Sequence, residues 1–362
     1  MKVQGIHHIS SIVGHAQKNI DFYASVLGLR LVKNTLNYDD QYSYHFYYGN
    51  RDGSSGLTTT FPMTDSIEGH SGSGQVDTLV YAVPSGSFEF WHNRLVEFGF
   101  KPYYYDRFGM KRLAFSDPDG LEIEMIEVNR FDESAWEYNG ITKEVAIIEI
   151  TGSILFSNNP PQSLKLLVDG LGYQLINEDE EFYLLKINDQ FLYLNKQIMA
   201  RGRMGIGSVH HIAFKVDNEE IALWHQKLID LGMKPTEIKN RKYFKSIYFR
   251  EPGGVLIELA TEGPGVLIDE TVERLGSNLL MPPHFKEYED EVREKLMPVT
   301  VREVSKLEGY GYRDRYEHDL LVKKQRVKEE LTYLLRKSKT GSLSEEEKET
   351  LKTLRQDFIT LR

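Results

Sequence analysis

Apolar residues recur along the first 260 or so residues in short runs of strand length, separated by helix-like stretches and Gly/Pro turns. Two of these runs carry the same interruption. In Ile6-His7-His8-Ile9-Ser10-Ser11 and in Val209-His210-His211-Ile212-Ala213-Phe214 an apolar strand holds a His-His pair, and a helix-like segment follows. Two further pairs of segments match. Leu95-Val96-Glu97-Phe98-Gly99-Phe100-Lys101-Pro102 resembles Leu228-Ile229-Asp230-Leu231-Gly232-Met233-Lys234-Pro235. Downstream, Ser116-Asp117-Pro118-Asp119-Gly120-Leu121-Glu122-Ile123-Glu124 resembles Arg250-Glu251-Pro252-Gly253-Gly254-Val255-Leu256-Ile257-Glu258. The repeated unit is therefore a whole module: a strand, a helix, then strands joined by a Pro-Gly turn.

Two weaker copies complete the pattern. The first runs from Ile6 to about Pro62, with a helix predicted over Ala16 to Leu27 and Gly28 just past its end. The third runs from about Val145 to Asn195, with Asn159 as N-cap, Pro160 in the first turn and a helix ending at Gly170. Modules two and four start near Val76 and Ser208. The expected fold class is α+β: four βαβββ modules forming two open β-barrel-like domains, residues 1–131 and 144–262, joined by the polar connector Asp132 to Lys143. Residues 263–362 read as an extension. Gly263-Pro264-Gly265 breaks the pattern, Met281-Pro282-Pro283 marks a loop, and a helical hairpin follows. Its first helix carries the stripe Tyr316, Leu320, Val327, Leu331, Leu334 and ends at Gly341. Its second, capped by Ser344 and Glu347, carries Leu351, Leu354, Phe358 and Leu361. A surface-packed extension or an oligomer contact is the simplest role for this hairpin.

Aligning the modules turns the repeat into chemistry. His8, Thr78, Ile150 and His211 fall together on the first strands, and Thr60, Glu124, Leu194 and Glu258 on the last. Successive strand residues face opposite sides, so one His of each pair can face a given interior. If two modules line each cavity, modules one and two offer His8 and Glu124, and modules three and four offer His211 and Glu258. Modules one and four together offer His8, His211 and Glu258, and no other pairing supplies three good ligands. Two neutral imidazoles and one carboxylate form a facial triad that leaves positions open, which suits non-haem Fe(II), with Mn(II) as the alternative; zinc favours a closed tetrahedron. A carboxylate in Val255-Leu256-Ile257-Glu258-Leu259-Ala260 is costly to bury unless paired or metal-bound. Glu124 has the same strand context without His partners and reads as a repeat relic or a salt-bridged group.

Composition limits the partners. A net charge of −10 argues against a general nucleic-acid or anionic-membrane binder. The absence of Cys excludes thiolate metal sites, Cys nucleophiles and disulfides. No apolar run reaches the roughly 18 residues that span a bilayer. With no signal-peptide pattern at the start, the expected location is cytoplasmic.

The modules and the Ile-His-His-Ile and Pro-Gly-Gly-Val-Leu-Ile-Glu motifs resemble the vicinal oxygen chelate superfamily, which includes glyoxalase I, bleomycin-resistance proteins and extradiol dioxygenases; the likeness covers residues 3 to about 262. Gly5-Ile6-His7-His8-Ile9-Ser10, Asn240-Arg241-Lys242-Tyr243-Phe244 and Ser246-Ile247-Tyr248-Phe249-Arg250-Glu251-Pro252-Gly253-Gly254 resemble more specifically its hydroquinone ring-cleaving dioxygenases. That resemblance implies a small dihydroxylated aromatic and dioxygen as substrates. It implies His8, His211 and Glu258 as ligands of Fe(II), Tyr248 and Arg241 near the substrate oxygen, and His7, Ser10 and His210 as groups that tune the metal or line the pocket. Tyr248 or His210 would move a proton. Without it, Tyr248 and Arg241 read as ordinary strand-surface residues. Ser10 stands where related enzymes often have Thr. The alternatives are a glyoxalase-like lyase or isomerase, which needs a fourth protein ligand where Thr60 stands, and a metal-free binding or resistance protein.

Overall fold

The computed structural model describes residues 1–307, 326–328, 330–338, 341 and 343–360. Module one contributes β1 (Ile6–Val13), α1 (Ala16–Ile20), β2 (Arg30–Asn37), β3 (Asp40–Gly49) and β4 (Leu57–Pro62). Module two contributes β5 (Gln75–Pro84), α2 (Phe88–Glu97), β6 (Tyr103–Arg107), β7 (Met110–Ser116) and β8 (Glu122–Val128). Module three contributes β9 (Glu149–Phe156), α3 (Pro160–Lys165), β10 (Gln174–Glu178), β11 (Phe182–Ile187) and β12 (Gln190–Asn195). Module four contributes β13 (Ser208–Val216), α4 (Ile221–Asp230), β14 (Lys239–Asn240), β15 (Lys245–Arg250) and β16 (Leu256–Thr261).

The helices bear out the predicted spans and divide the modules into two kinds. In modules one and three the α-helix widens into a π-helical segment, Asp21–Val26 and Leu166–Gly170 respectively; α2 and α4 stay regular. Gly28 follows the first of these at φ +65°, a left-handed conformation that favours glycine, and a Cβ there would meet Ile141 of the connector. Asn159 precedes α3 at the expected place, but its side chain makes no cap hydrogen bond.

Sheet pairing follows the first strands. β1 pairs antiparallel with β13, and the nine-stranded sheet runs β14-β15-β16-β13-β1-β4-β3-β2, closed by β17 (Leu279–Leu280). β5 pairs antiparallel with β9, and the eight-stranded sheet runs β10-β11-β12-β9-β5-β8-β7-β6. Each half of the chain thus sends one module to each sheet: module one meets module four, and module two meets module three. The nine-stranded sheet is curled, because Arg241, just after β14 near one end, lies 3.1 Å from Asp39 in the β2–β3 turn near the other. The main apolar core fills the helix-side faces of both sheets, with Trp91 and Trp224 fully buried.

The extension is more than a hairpin. Residues 263–307 wrap module one: β17 pairs parallel with β2, Thr35 Oγ1 donates to the Leu280 carbonyl (2.6 Å), and Tyr44 hydroxyl donates to the Met297 carbonyl (2.9 Å). Short 3-10 turns and α5 (Glu289–Lys295) occupy the segment after Met281. In the hairpin, Ser344 and Glu347 form the predicted capping box, at 2.9 and 3.2 Å. Val327, Leu331, Leu334, Leu351 and Leu354 pack together. Tyr316, Leu320 and Leu361 lie outside the described residues. No helix among the described residues is long and apolar enough to cross a membrane.

Candidate metal centre

β1, β13 and β16 bring three donors to one point. β1 and β13 are neighbours, with Ser10 opposite His211; β16 runs parallel to β13 on its other side, with Glu258 opposite Ala213. Pleating then sends His8, His211 and Glu258 to the same face. Nε2 of His8 lies 3.1 Å from Nε2 of His211. Glu258 Oε2 lies 3.3 Å from the former and 2.8 Å from the latter. All three residues are buried, Glu258 completely.

The other imidazole nitrogens are held by the adjacent histidines. His7 Nδ1 sits 2.8 Å from His8 Nδ1, and His210 Nδ1 sits 2.8 Å from His211 Nδ1. Burial, then the neighbouring ligand histidine, pushes His7 and His210 down to about 3, so both are neutral near pH 7. Burial lowers His211 as well. Burial works against the Glu258 carboxylate, yet His8 and His211 hold its pKa well below the usual range. The result is an ionised carboxylate facing two imidazole nitrogens.

Such a donor set fits a metal ion. Neither carboxylate oxygen of Glu258 meets a hydrogen-bond partner in good geometry, although both are buried. A buried, unpartnered carboxylate is costly by itself and is accounted for when it coordinates a cation. The three ligand atoms lie within 4.8 Å of one another, a spacing one ion can span.

His8 and His211 open onto a cavity of about 260 Å³. A dry cavity of about 150 Å³ suffices for benzene, so this one has room for a substituted single ring. His8, His211, Ser10, His210, Tyr248 and Arg241 all line it; His7 does not and lies behind His8, against Phe244. Ser10 Oγ is 3.0 Å from His211 Nε2 and 2.6 Å from Thr59 Oγ1. Tyr248 meets His211 edge-on at 5.6 Å, and the Arg241 guanidinium lies 5.4 Å from the centre of the Tyr248 ring. Burial raises the Tyr248 pKa above its ordinary value, so it is a neutral phenol able to donate a hydrogen bond. The structure thus brings together every residue singled out from the sequence except His7, which supports the cluster from outside the cavity.

Two positions differ from the internal alignment. His8 pairs with Leu57, and Ile212 with Ile257, so the module-one counterpart of Glu258 is Thr59. Thr60 points the other way and donates to Asn19 Oδ1 (2.7 Å) on α1. Leu194 likewise faces the helix-side core. One residue of slip reverses the face of a strand residue, and a Thr-Thr-Thr run gives no clue to the register. Glu124 is a salt-bridged group: it accepts from Arg107 Nη1 (3.0 Å) and Arg112 Nη1 (3.2 Å), and from the Tyr105 hydroxyl. Guanidinium groups from β6 and β7 thus partner Glu124 in the eight-stranded sheet, whereas imidazoles from β1 and β13 face Glu258 in the other.

Sequence reasoning missed the module-one wall of the cavity, made by His45, Tyr47, Phe61 and Met63 with Tyr38 and Asp39. The alternation in Ser43-Tyr44-His45-Phe46-Tyr47-Tyr48 was its one signal: Tyr44, Phe46 and Tyr48 join the core, and His45 and Tyr47 face the cavity.

The chain matches known proteins over most of its length. A family model described as the Glyoxalase/Bleomycin resistance protein/Dioxygenase superfamily matches residues 5–125 and 147–259. A Bacillus subtilis (strain 168) protein named "Putative ring-cleaving dioxygenase MhqO" is 38% identical over 308 residues, covering 84% of this chain and 99% of its own. A Sphingobium indicum protein named "Chlorohydroquinone/hydroquinone 1,2-dioxygenase" is 32% identical over 308 residues, covering 80% of this chain and 95% of its own. The crystal structure of a "putative dioxygenase" from Bacillus subtilis subsp. subtilis str. 168 is similar at a TM-score of 0.81 and 38% identity, over 84% of this chain and 99% of that one.

Proposed function

The chain belongs to the Glyoxalase/Bleomycin resistance protein/Dioxygenase superfamily, and from that premise we propose that it is a ring-cleaving dioxygenase acting on a hydroquinone- or catechol-type dihydroxylated aromatic. His8, His211 and Glu258 hold its metal, Fe(II), with Mn(II) fitting the same donors. The observation that carries this reading is the convergence of two imidazole nitrogens and one buried carboxylate on a single point, with both imidazoles lining a ring-sized cavity. The name of the Sphingobium relative favours a hydroquinone.

When bound by His8, His211 and Glu258, the metal would supply Lewis-acid and redox chemistry to the aromatic substrate and dioxygen. The protein does the rest. His7 and His210 fix the orientation of the two ligand rings through their Nδ1 atoms. Tyr248 presents a phenol beside His211, where it can donate to a substrate oxygen. Arg241, over the Tyr248 ring, places a fixed cation where negative charge develops. His210 lines the cavity with its Nδ1 engaged by His211, so as a neutral imidazole it carries its proton on Nε2 and acts as a hydrogen-bond donor. Phe244 and Phe61 keep the walls apolar. The overall change balances: one carbon–carbon bond next to a hydroxyl carbon breaks, both atoms of dioxygen enter the product, and the ring carbons supply the electrons that reduce it.

The glyoxalase-like alternative lacks its fourth ligand, because the module-one counterpart of Glu258 is the hydroxyl of Thr59, engaged with Ser10. An oxygen electrode separates the two. Protein loaded anaerobically with Fe(II) is expected to consume dioxygen with hydroquinone. Turnover of a hemithioacetal with Zn(II) or Ni(II), and no oxygen uptake with any dihydroxylated aromatic, would replace the dioxygenase by a lyase.

A further inference from the structure

We propose that His45 recognises the second oxygen of the aromatic substrate, its Nε2 hydrogen-bonding the ring hydroxyl that is not directed at the metal site; this rests on the ring-cleaving reading above. His45 lies on β3, in the wall that module one supplies to the cavity. It is 8% exposed, and its Nε2 is buried without a hydrogen-bond partner. Buried polar atoms without partners are uncommon in folded proteins and ask for an explanation. One other cavity-lining side chain shares this state, the Tyr38 hydroxyl, and that residue belongs to the β2–β3 turn beside exposed Asp39, at the mouth.

His45 is not a further metal ligand, because its ring nitrogens fall outside the cluster formed by His8, His211 and Glu258. Nor does the strand need a histidine there. The register places Tyr47 opposite Thr59 and Tyr248 opposite Glu258, so Tyr47 and Tyr248 are twins, and the twin of His45 is Ser246. The imidazole is nonetheless held firmly. The Tyr47 ring lies 4.3 Å from it and the Phe61 ring 4.2 Å, both tilted against it. These aromatic contacts hold the ring in the cavity wall, its Nε2 without a partner.

On the opposite wall, the Arg241 guanidinium is already engaged. Arg241 pairs with Asp39 at 3.1 Å and lies over the rings of Tyr38 and Tyr248. An aromatic ring that reaches the triad through one oxygen lies between these walls, and a second ring oxygen then finds the unpartnered Nε2 of His45. A substrate without that oxygen leaves the nitrogen unsatisfied, which is the strong form of discrimination between otherwise similar ligands.

The test is anaerobic calorimetry on the Fe(II)-loaded full chain with hydroquinone and with phenol as probes. His45→Phe keeps a ring against Tyr47 and Phe61 and removes the nitrogen; His45→Gln keeps a polar atom at that reach. The wild type is expected to prefer hydroquinone. His45→Phe should lower hydroquinone affinity about tenfold and leave phenol affinity unchanged, and His45→Gln should retain most of the preference. An unchanged preference in His45→Phe, an equal loss for both probes, or loss of the metal from that variant would overturn the assignment. Binding is read without dioxygen, so failure here is distinct from failure of the ring-cleaving reading, which the wild-type oxygen uptake decides.

Discussion

Nε2 of His8 and Nε2 of His211 lie 3.1 Å apart although 203 positions separate the residues along the chain. Antiparallel pairing of β1 with β13 creates that closeness, and β16 adds Glu258 from the side. One metal ion at this point would tie the first module to the last.

Metal binding should therefore stabilise the folded chain. At a free Fe(II) concentration of 100 times Kd, linkage adds about 2.7 kcal/mol to the unfolding free energy. Anaerobic thermal or urea unfolding should show this gain in the wild type and none in Glu258→Gln or His211→Ala. His210→Ala removes only the group that orients His211, so metal affinity should fall roughly 10- to 100-fold and persist. Equal stabilisation of wild type and Glu258→Gln would place the metal elsewhere.

Arg241 and Asp39 form an ion pair, but the two should matter unequally. Asp39 is the exposed partner, and exposed pairs contribute about 0–1 kcal/mol. Asp39→Asn should change kcat/KM with hydroquinone by less than about fivefold. Arg241→Met removes a fixed cation from the cavity wall and should lower kcat roughly a hundredfold or more. Equal losses in the two variants would mean that the pair positions the mouth and that the Arg241 charge does not act on the substrate.

The wrap of the extension around module one depends on a buried ion cluster. Lys33 on β2 is fully buried, with Nζ 2.6 Å from Asp269 and 2.8 Å from Glu270. Asp269 also accepts from the Tyr243 hydroxyl (3.1 Å), next to Phe244 of the cavity wall. Lys33→Met leaves the carboxylates without their buried partner and should cost roughly 3–5 kcal/mol in urea unfolding. Combining it with Asp269→Asn and Glu270→Gln should restore most of that loss. A neutral single variant would show that these charges are solvated in solution.

Asp117 provides a pH signature away from the metal centre. Burial first, and then Asp119, raises its carboxyl to about 7 in the folded chain. The folded state therefore binds this proton more tightly than the unfolded state, whose group titrates near 3.9. The contribution is fully present below that pH and is lost as pH rises through about 7. Asp117→Asn should gain stability relative to the wild type as pH goes from 4 to 8, by up to roughly 4 kcal/mol. Chemical denaturation of both proteins across that range checks the slope; parallel curves would remove the effect.

The sequence carried the centre better than its surroundings. His8, His211 and Glu258 were legible because each interrupts an apolar strand that recurs within the chain, so the repeat could be used as its own alignment. Thr59 was not, since a Thr-Thr-Thr run lacks the alternation that fixes register. His45 lies in a strand whose two faces are both rich in aromatics, one toward the core and one toward the cavity, which mutes the contrast between them. The pairing of β17 with β2 rests on a Leu-Leu pair too short to register as a strand. The guanidinium partners of Glu124 come from a neighbouring hairpin, and only the fold reveals that proximity.

On the proposed function, the His8–His211–Glu258 centre inserts dioxygen into an aromatic ring. The direct measurement is mass spectrometry of the hydroquinone product formed under isotopically labelled dioxygen by anaerobically Fe(II)-loaded protein, with His211→Ala treated alike. A ring-opened product carrying both labelled atoms is expected from the wild type and none from the variant. An intact ring, a product without label, or the same labelled product from His211→Ala would contradict the proposed function.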